Sequence, residues 1–163
     1  MRNYLIPMIV FSFFVIALIS SPSYSHNNSA PNMECINCHQ GEMVPDMVTI
    51  EGIPKAFVPG KVYTLTAKVT SSMKSEGDVA GGFAVEVSGG ELIVSDKKHT
   101  QISGGLLTHT QEGSAFRKWT FKWKAPAKKE EANINIMAVA ANGDFAPIGD
   151  LVGANSYTIK PAR

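Results

Sequence analysis

The sequence predicts an all-β sandwich, and three observations carry that expectation. After Pro45, short runs of alternating apolar and polar residues recur; glycine pairs and prolines punctuate them; and no window of ordinary helix length shows a persuasive 3.6-residue period. Successive side chains of a strand point to opposite faces, so each run gives one face to an interior and the other to water. Several such strands without intervening helices pack as two sheets face to face.

The strands follow in order. Residues 48–53 form the first, and residues 61–70 the second, where Tyr63, Leu65, Ala67 and Val69 share a face at period two. Gly81-Gly82 precedes Phe83-Ala84-Val85-Glu86-Val87, and Gly89-Gly90 precedes Glu91-Leu92-Ile93-Val94, two further strands whose spacing suggests a meander. The clearest alternation is Trp119-Thr120-Phe121-Lys122-Trp123-Lys124, which sends three aromatic rings to the core and the polar side chains to solvent. Residues 133–140 and 156–159 complete the set.

The N-terminus has the layout of a secretory signal peptide. Arg2 supplies a positive start, residues 5–19 are almost wholly apolar, and residues 20–25 are small, polar and broken by proline. Cleavage after Ser25 satisfies the small-residue rule and leaves His26 at the mature N-terminus. An uncleaved anchor is the competing reading, but the apolar stretch is shorter than the roughly 20 residues a bilayer span needs, and Pro7 interrupts it. Loss of Arg2 with the leader leaves basic and acidic side chains in balance, and no second membrane segment appears. Near-neutral charge gives no reason to expect nucleic-acid binding. The remaining length suffices for one domain with its own core, with no disulfide framework required.

Residues 26–47 are rich in Asn, Ser, Pro and Met and read as a loop or short helical turn. They contain the only two cysteines of the chain, in Cys35-Ile36-Asn37-Cys38-His39, the spacing that attaches c-type haem. Each cysteine is placed to form a thioether with the macrocycle, and His39 to bind its iron from one face. Three other readings compete. A disulfide between Cys35 and Cys38 suits an exported chain, a redox-active pair lacks the βαβ surroundings such pairs have, and zinc would take Cys35, Cys38, His39 and another histidine. Haem also explains His39, and one haem c per chain is the expectation.

Gly81-Gly82-Phe83, then Leu107-Thr108-His109-Thr110, then Trp119 through the Ala125-Pro126 that follows Lys124, then residues 134–141 ending in Asn142-Gly143-Asp144, together resemble a reelin-type (reeler) domain. The resemblance covers most of the mature chain and implies an immunoglobulin-like β-sandwich. It also implies a Cys-x-x-Cys-His motif just ahead of the sandwich, as bacterial members often carry. Animal relatives use disulfides, for which this chain has no cysteines beyond Cys35 and Cys38. The chain divides on this reading into a signal peptide, residues 1–25, a haem-attachment segment, residues 26–47, and a reeler-like sandwich domain, residues 48–163.

The sixth iron position decides what such a haem does. The resemblance points to His109, which with His39 gives bis-histidine ligation. Met43, Met47, Met33, His99 and His26 are the alternatives. Met43 and Met47 are tethered too close to the motif to reach the opposite face with ease, and are expected to pack at the ring edge. His99 follows Asp96-Lys97-Lys98 in a polar turn and is expected in solvent. His109 itself competes with the ordinary fate of a hydrogen-bonded strand histidine. His26, with its free amine after cleavage, has a remote reading as a copper ligand. Arg117, Lys118, Lys122, Lys124, Lys128 and Lys129 surround the aromatic strand, as a solvated face or as a docking patch for an acidic partner. Asn142-Gly143-Asp144 and Gly149-Asp150 read as turns.

The expectation is thus an exported, periplasmic or extracellular, monohaem cytochrome that transfers electrons and is not an enzyme. Redox proteins, including other cytochromes, would be its partners. The alternatives are an assembly or adhesion module whose haems relay electrons within an oligomer or filament, and a peroxidase or gas sensor with an open iron position.

Overall fold

A computed structural model describes residues 33–146 and 148–163; the expected leader and His26 lie outside the described residues. The chain folds as two packed sheets. A short helical turn, α1 (Cys35–Cys38), is followed by β1 (Gln40–Met43), β2 (Val48–Glu51), β3 (Ala56–Phe57), β4 (Val62–Val69), β5 (Gly81–Val87), β6 (Glu91–Ile93), β7 (Thr100–Ser103), β8 (Leu106–His109), β9 (Lys118–Lys124), β10 (Ala132–Ala140) and β11 (Ile148–Pro161). The larger sheet runs β1-β11-β10-β5-β8-β7, with β3 also paired to β11, and the smaller runs β2-β4-β9-β6.

The aromatic strand sets the core. β9 alternates without exception between exposed and buried positions, and its register on β4 places Leu65 opposite Phe121 and Ala67 opposite Trp119. Trp119, Phe121 and Trp123 are all buried, as their spacing predicts. Phe83 of the facing sheet stacks on Trp119 with ring centroids 4.6 Å apart, which joins the two layers. The indole N–H groups do not go unpaired: Trp119 donates to the Gly113 carbonyl at 2.8 Å and Trp123 to the Gly89 carbonyl at 3.0 Å.

Several elements differ from the sequence expectation. β5 and β6 do not form a meander, because they lie in opposite sheets. The hairpin β7–β8 was not expected; Gly104 and Gly105 close it with φ of 58° and 83°, a turn whose twist matches that of the strands it joins. β11 begins at Ile148, eight residues before the expected strand, and its first half takes β1 as a parallel partner. β1 therefore turns part of the expected loop into sheet, and Met47, 3 % exposed, belongs to the sandwich core.

Arg117 is not a member of a solvated basic cluster. Its guanidinium donates to the carbonyls of Ala80 (2.9 Å), Met73 (2.6 Å), Ser71 (3.4 Å) and Ala141 (3.2 Å), pinning residues 71–80 to the end of β10. Lys118, Lys122 and Lys124 do face solvent, from the smaller sheet. Among the described residues no helix is long and apolar enough to cross a membrane. Arg117→Ala strands these carbonyls at once, and urea denaturation is expected to show a loss of roughly 3 kcal/mol, since hydrogen bonds to a charged donor carry about 1.5–3 kcal/mol each and do not add fully.

Candidate functional site

The alternation of the larger sheet breaks down at one place. Ala138, Val139 and Ala140 are buried in succession at the end of β10, and Gly81 to Val85 are buried in succession in β5. Val139 pairs with Gly82 on one side and Val152 on the other, so these three share the outer face of the sheet. Val139 and Val152 form a second apolar cluster there, outside the sandwich core, and Cys35, Val79 and Met137 pack on it. The Cys35–His39 turn thus sits on the outer face of β10 and β11.

His39 is fixed by Asp150. Its Nδ1 lies 2.6 Å from Asp150 Oδ2, and the carboxylate is 4 % exposed while the imidazole is 40 % exposed. The second oxygen, Oδ1, accepts the Asn142 N–H at 3.0 Å. Gly41 makes the approach possible, because a Cβ there would collide with the Asp150 carbonyl oxygen. With Nδ1 engaged, Nε2 of His39 is the nitrogen left for a metal, the arrangement in which an outer carboxylate orients a ligating histidine.

Cys35 and Cys38 are both free thiols, so the disulfide alternative is not what the structure holds. Cys35 lies against the apolar strip, where burial and then the neighbouring Cys38 push its pKa up to about 11, against the stabilising pull of a backbone hydrogen bond. Cys38 is exposed. The zinc alternative finds no support: among the described residues no group of three or more His, Cys, Asp or Glu is arranged to hold a metal ion.

His109 reaches the same strip from the other side. A Cβ on Gly82 would stand 2.5 Å from its Cε1 and 2.9 Å from its Nε2, so the ring occupies the space that glycine leaves open. Nδ1 accepts the Phe83 N–H at 3.2 Å, with the Phe83 carbonyl oxygen 3.4 Å away, so the ring is anchored through Nδ1 and its Nε2 edge is turned toward Gly82. Burial lowers the His109 pKa, and the charge of His39 lowers it further against the Phe83 hydrogen bond, which favours the neutral form a metal requires. His39 is bound to Asp150 of β11 and the His109 ring lies over Gly82 of β5, so the two imidazoles stand on either side of β10. The strip thus carries two imidazoles, each anchored through Nδ1, beside two free thiols and an apolar wall.

Most of the other candidates fall away from the strip. Met47 is in the core and not at a ring edge and Met43 is exposed on β1, whereas Met33 lines a shallow depression with Met137, Ala154 and Ser156 on the same outer face. His99 is not free in solvent: it is half-buried, bonds Asp96 Oδ2 at 2.7 Å and packs edge-on against Phe116. That contact is the chief cause holding the Asp96 carboxyl below its ordinary range. Asp150 is the candidate site residue that the sequence reading does not single out. It was read as a turn because Gly149 and Gly153 hide the start of β11; the Leu151-Val152 pair beside it is the signal of a strand.

The two packed sheets form an all-β sandwich, and solved reeler domains resemble it in fold. The human F-spondin reeler domain (fragment 1) matches with a TM-score of 0.55 at 14 % identity, over 78 % of this chain and 98 % of that one. The Reelin-N domain of F-spondin matches with a TM-score of 0.55 at 15 % identity, over 82 % of this chain and 100 % of that one. At these identities the likeness is one of fold. No protein-family model and no curated protein matches the chain.

The two thiols differ in burial and the difference is measurable. In haem-free protein at mildly alkaline pH, iodoacetamide is expected to modify Cys38 well before Cys35, read by peptide mass mapping; equal rates would show that Cys35 is not buried against Val139.

Proposed function

We propose that the chain is an exported monohaem c-type cytochrome that carries electrons and is not an enzyme. The observation that carries this reading is the joint placement of the Cys35-Ile36-Asn37-Cys38-His39 turn and the His109 ring on one apolar strip of the larger sheet. Bound there, haem would supply a one-electron iron couple.

The remaining work belongs to the chain. Cys35 and Cys38 would tether the group, Cys35 from within the strip and Cys38 from the surface, and His39 and His109 would be its two iron ligands. Val139, Val152 and Met137 form an apolar wall that keeps water from one side of the site. Two histidine ligands would leave no iron position open to a substrate, which favours a carrier over a peroxidase or sensor. Two histidines also set a lower potential than a histidine and a methionine, because methionine ligation raises it. Export follows from the leader-like N-terminus, and the partners are redox proteins, including other cytochromes.

Intact mass and absorption spectra of the mature protein test the proposal. A mass increased by one haem and a low-spin spectrum are expected, together with conversion to a high-spin spectrum in His109→Ala. An apoprotein mass with Cys35 bonded to Cys38 would overturn the haem reading, and an unchanged low-spin spectrum in H109A would remove His109 as ligand.

A further inference from the structure

A half-exposed histidine has water available as a hydrogen-bond partner, so folding alone gives no reason to bury a carboxylate beside it. Burial of a carboxylate costs free energy unless every oxygen finds a donor. Asp150 meets that condition in full: Oδ2 takes His39 Nδ1 at 2.6 Å and Oδ1 takes the Asn142 N–H at 3.0 Å. The two contacts come from opposite sides of one rigid group at the start of β11, so the carboxylate cannot swing away from the imidazole. Gly41 lets the chain that follows His39 lie directly on the Asp150 backbone.

We propose that Asp150 is the positioning residue of the iron ligand: it locks His39 in the tautomer with Nε2 free, and its fixed charge holds the haem couple at low potential. This rests on the haem reading above. The tautomer follows from hydrogen bonding, since a carboxylate accepts only, and Nδ1 must carry the proton. The effect on potential follows from charge. A buried anion one imidazole away from the iron strengthens the ligand as a donor and stabilises the oxidised, more positive iron over the reduced form. Asn142 is part of the device, because its N–H fixes the orientation of the carboxylate from the loop that precedes β11.

Two measurements test the proposal separately from the presence of haem. In haem-free protein labelled with 15N-histidine, at alkaline pH, His39 is expected to show the Nδ1–H tautomer, and Asp150→Ala is expected to shift it toward Nε2–H. In the holoprotein, Asp150→Asn, which keeps shape and removes charge, is expected to raise the midpoint potential while the low-spin spectrum persists. A wild-type His39 in the Nε2–H form would overturn the proposal, as would a folded D150N holoprotein with an unchanged potential. If D150N does not fold, the wild-type tautomer decides. A chain that carries no haem but shows the Nδ1–H tautomer retains the positioning and loses the cytochrome.

Discussion

Val139 and Val152 put an apolar strip on the outside of a sheet whose outer face is elsewhere polar, and that strip must be covered. Farther along the same strands the outer positions are Asn135, Glu86 and Ser156, linked by side-chain hydrogen bonds that water can share. At Val139 there is no such compromise. Burial of a valine side chain is worth about 1.5–3 kcal/mol, enough that two of them favour a conformation in which α1 lies on the sheet. The cover is made by Cys35 together with Val79 and Met137. The motif is therefore held by the same packing force as a core element, although it stands outside the sandwich.

The cover also links the site to the interior. Phe83 stacks on Trp119 in the core, and the backbone of the same residue holds the His109 ring. The His109 ring lies 6.4 Å from Trp119 as well, so the residue at the end of β8 is braced by both sheets. On the opposite flank, β1 and the start of β11 hold His39 and Asp150 through a parallel pairing. Arg117 closes the arrangement by tying residues 71–80, which contribute Val79 to the cover, to Ala141 at the end of β10. Strand register, one guanidinium and one glycine-sized gap thus set the relation between two histidines 70 positions apart in the chain.

What was legible in the sequence was what alternates. β4 and β9 carry strict period two, and their core faces came out as read. His39 and His109 were paired from the motif and the resemblance, but the apolar strip between them was not legible, because it depends on β5, β10 and β11 lying side by side. β7 and β8 escaped notice since each is four residues long, although the Gly104-Gly105 pair between them carries the signal of a tight hairpin. β11 was cut short by glycines that pattern reading takes for turns. Gly153 is instead a close-packing position, where a Cβ would meet Met47 at 3.0 Å. Asp150 was lost with that half-strand, and Met47 was misplaced because its neighbours in sequence are polar while its neighbours in space are core.

The basic face illustrates how sheet geometry decides between two readings of one composition. Lys118, Lys122 and Lys124 alternate with buried aromatics along β9, so they stand on the outer side of the smaller sheet. The strip that holds His39 and His109 lies on the outer side of the larger one. Packed sheets are about 10 Å apart between their backbones, and the side chains of both outer faces add to that separation. At physiological salt the screening length is about 8 Å, so these lysines act weakly at the site across the sandwich. Their local role is sufficient. Glu51 lies 3.7 Å from both Lys68 and Lys118, which neutralises part of the charge. The residues that alternate with the core aromatics thus keep the far face in water, and the cover by the Cys35–His39 turn falls to the sheet whose alternation breaks.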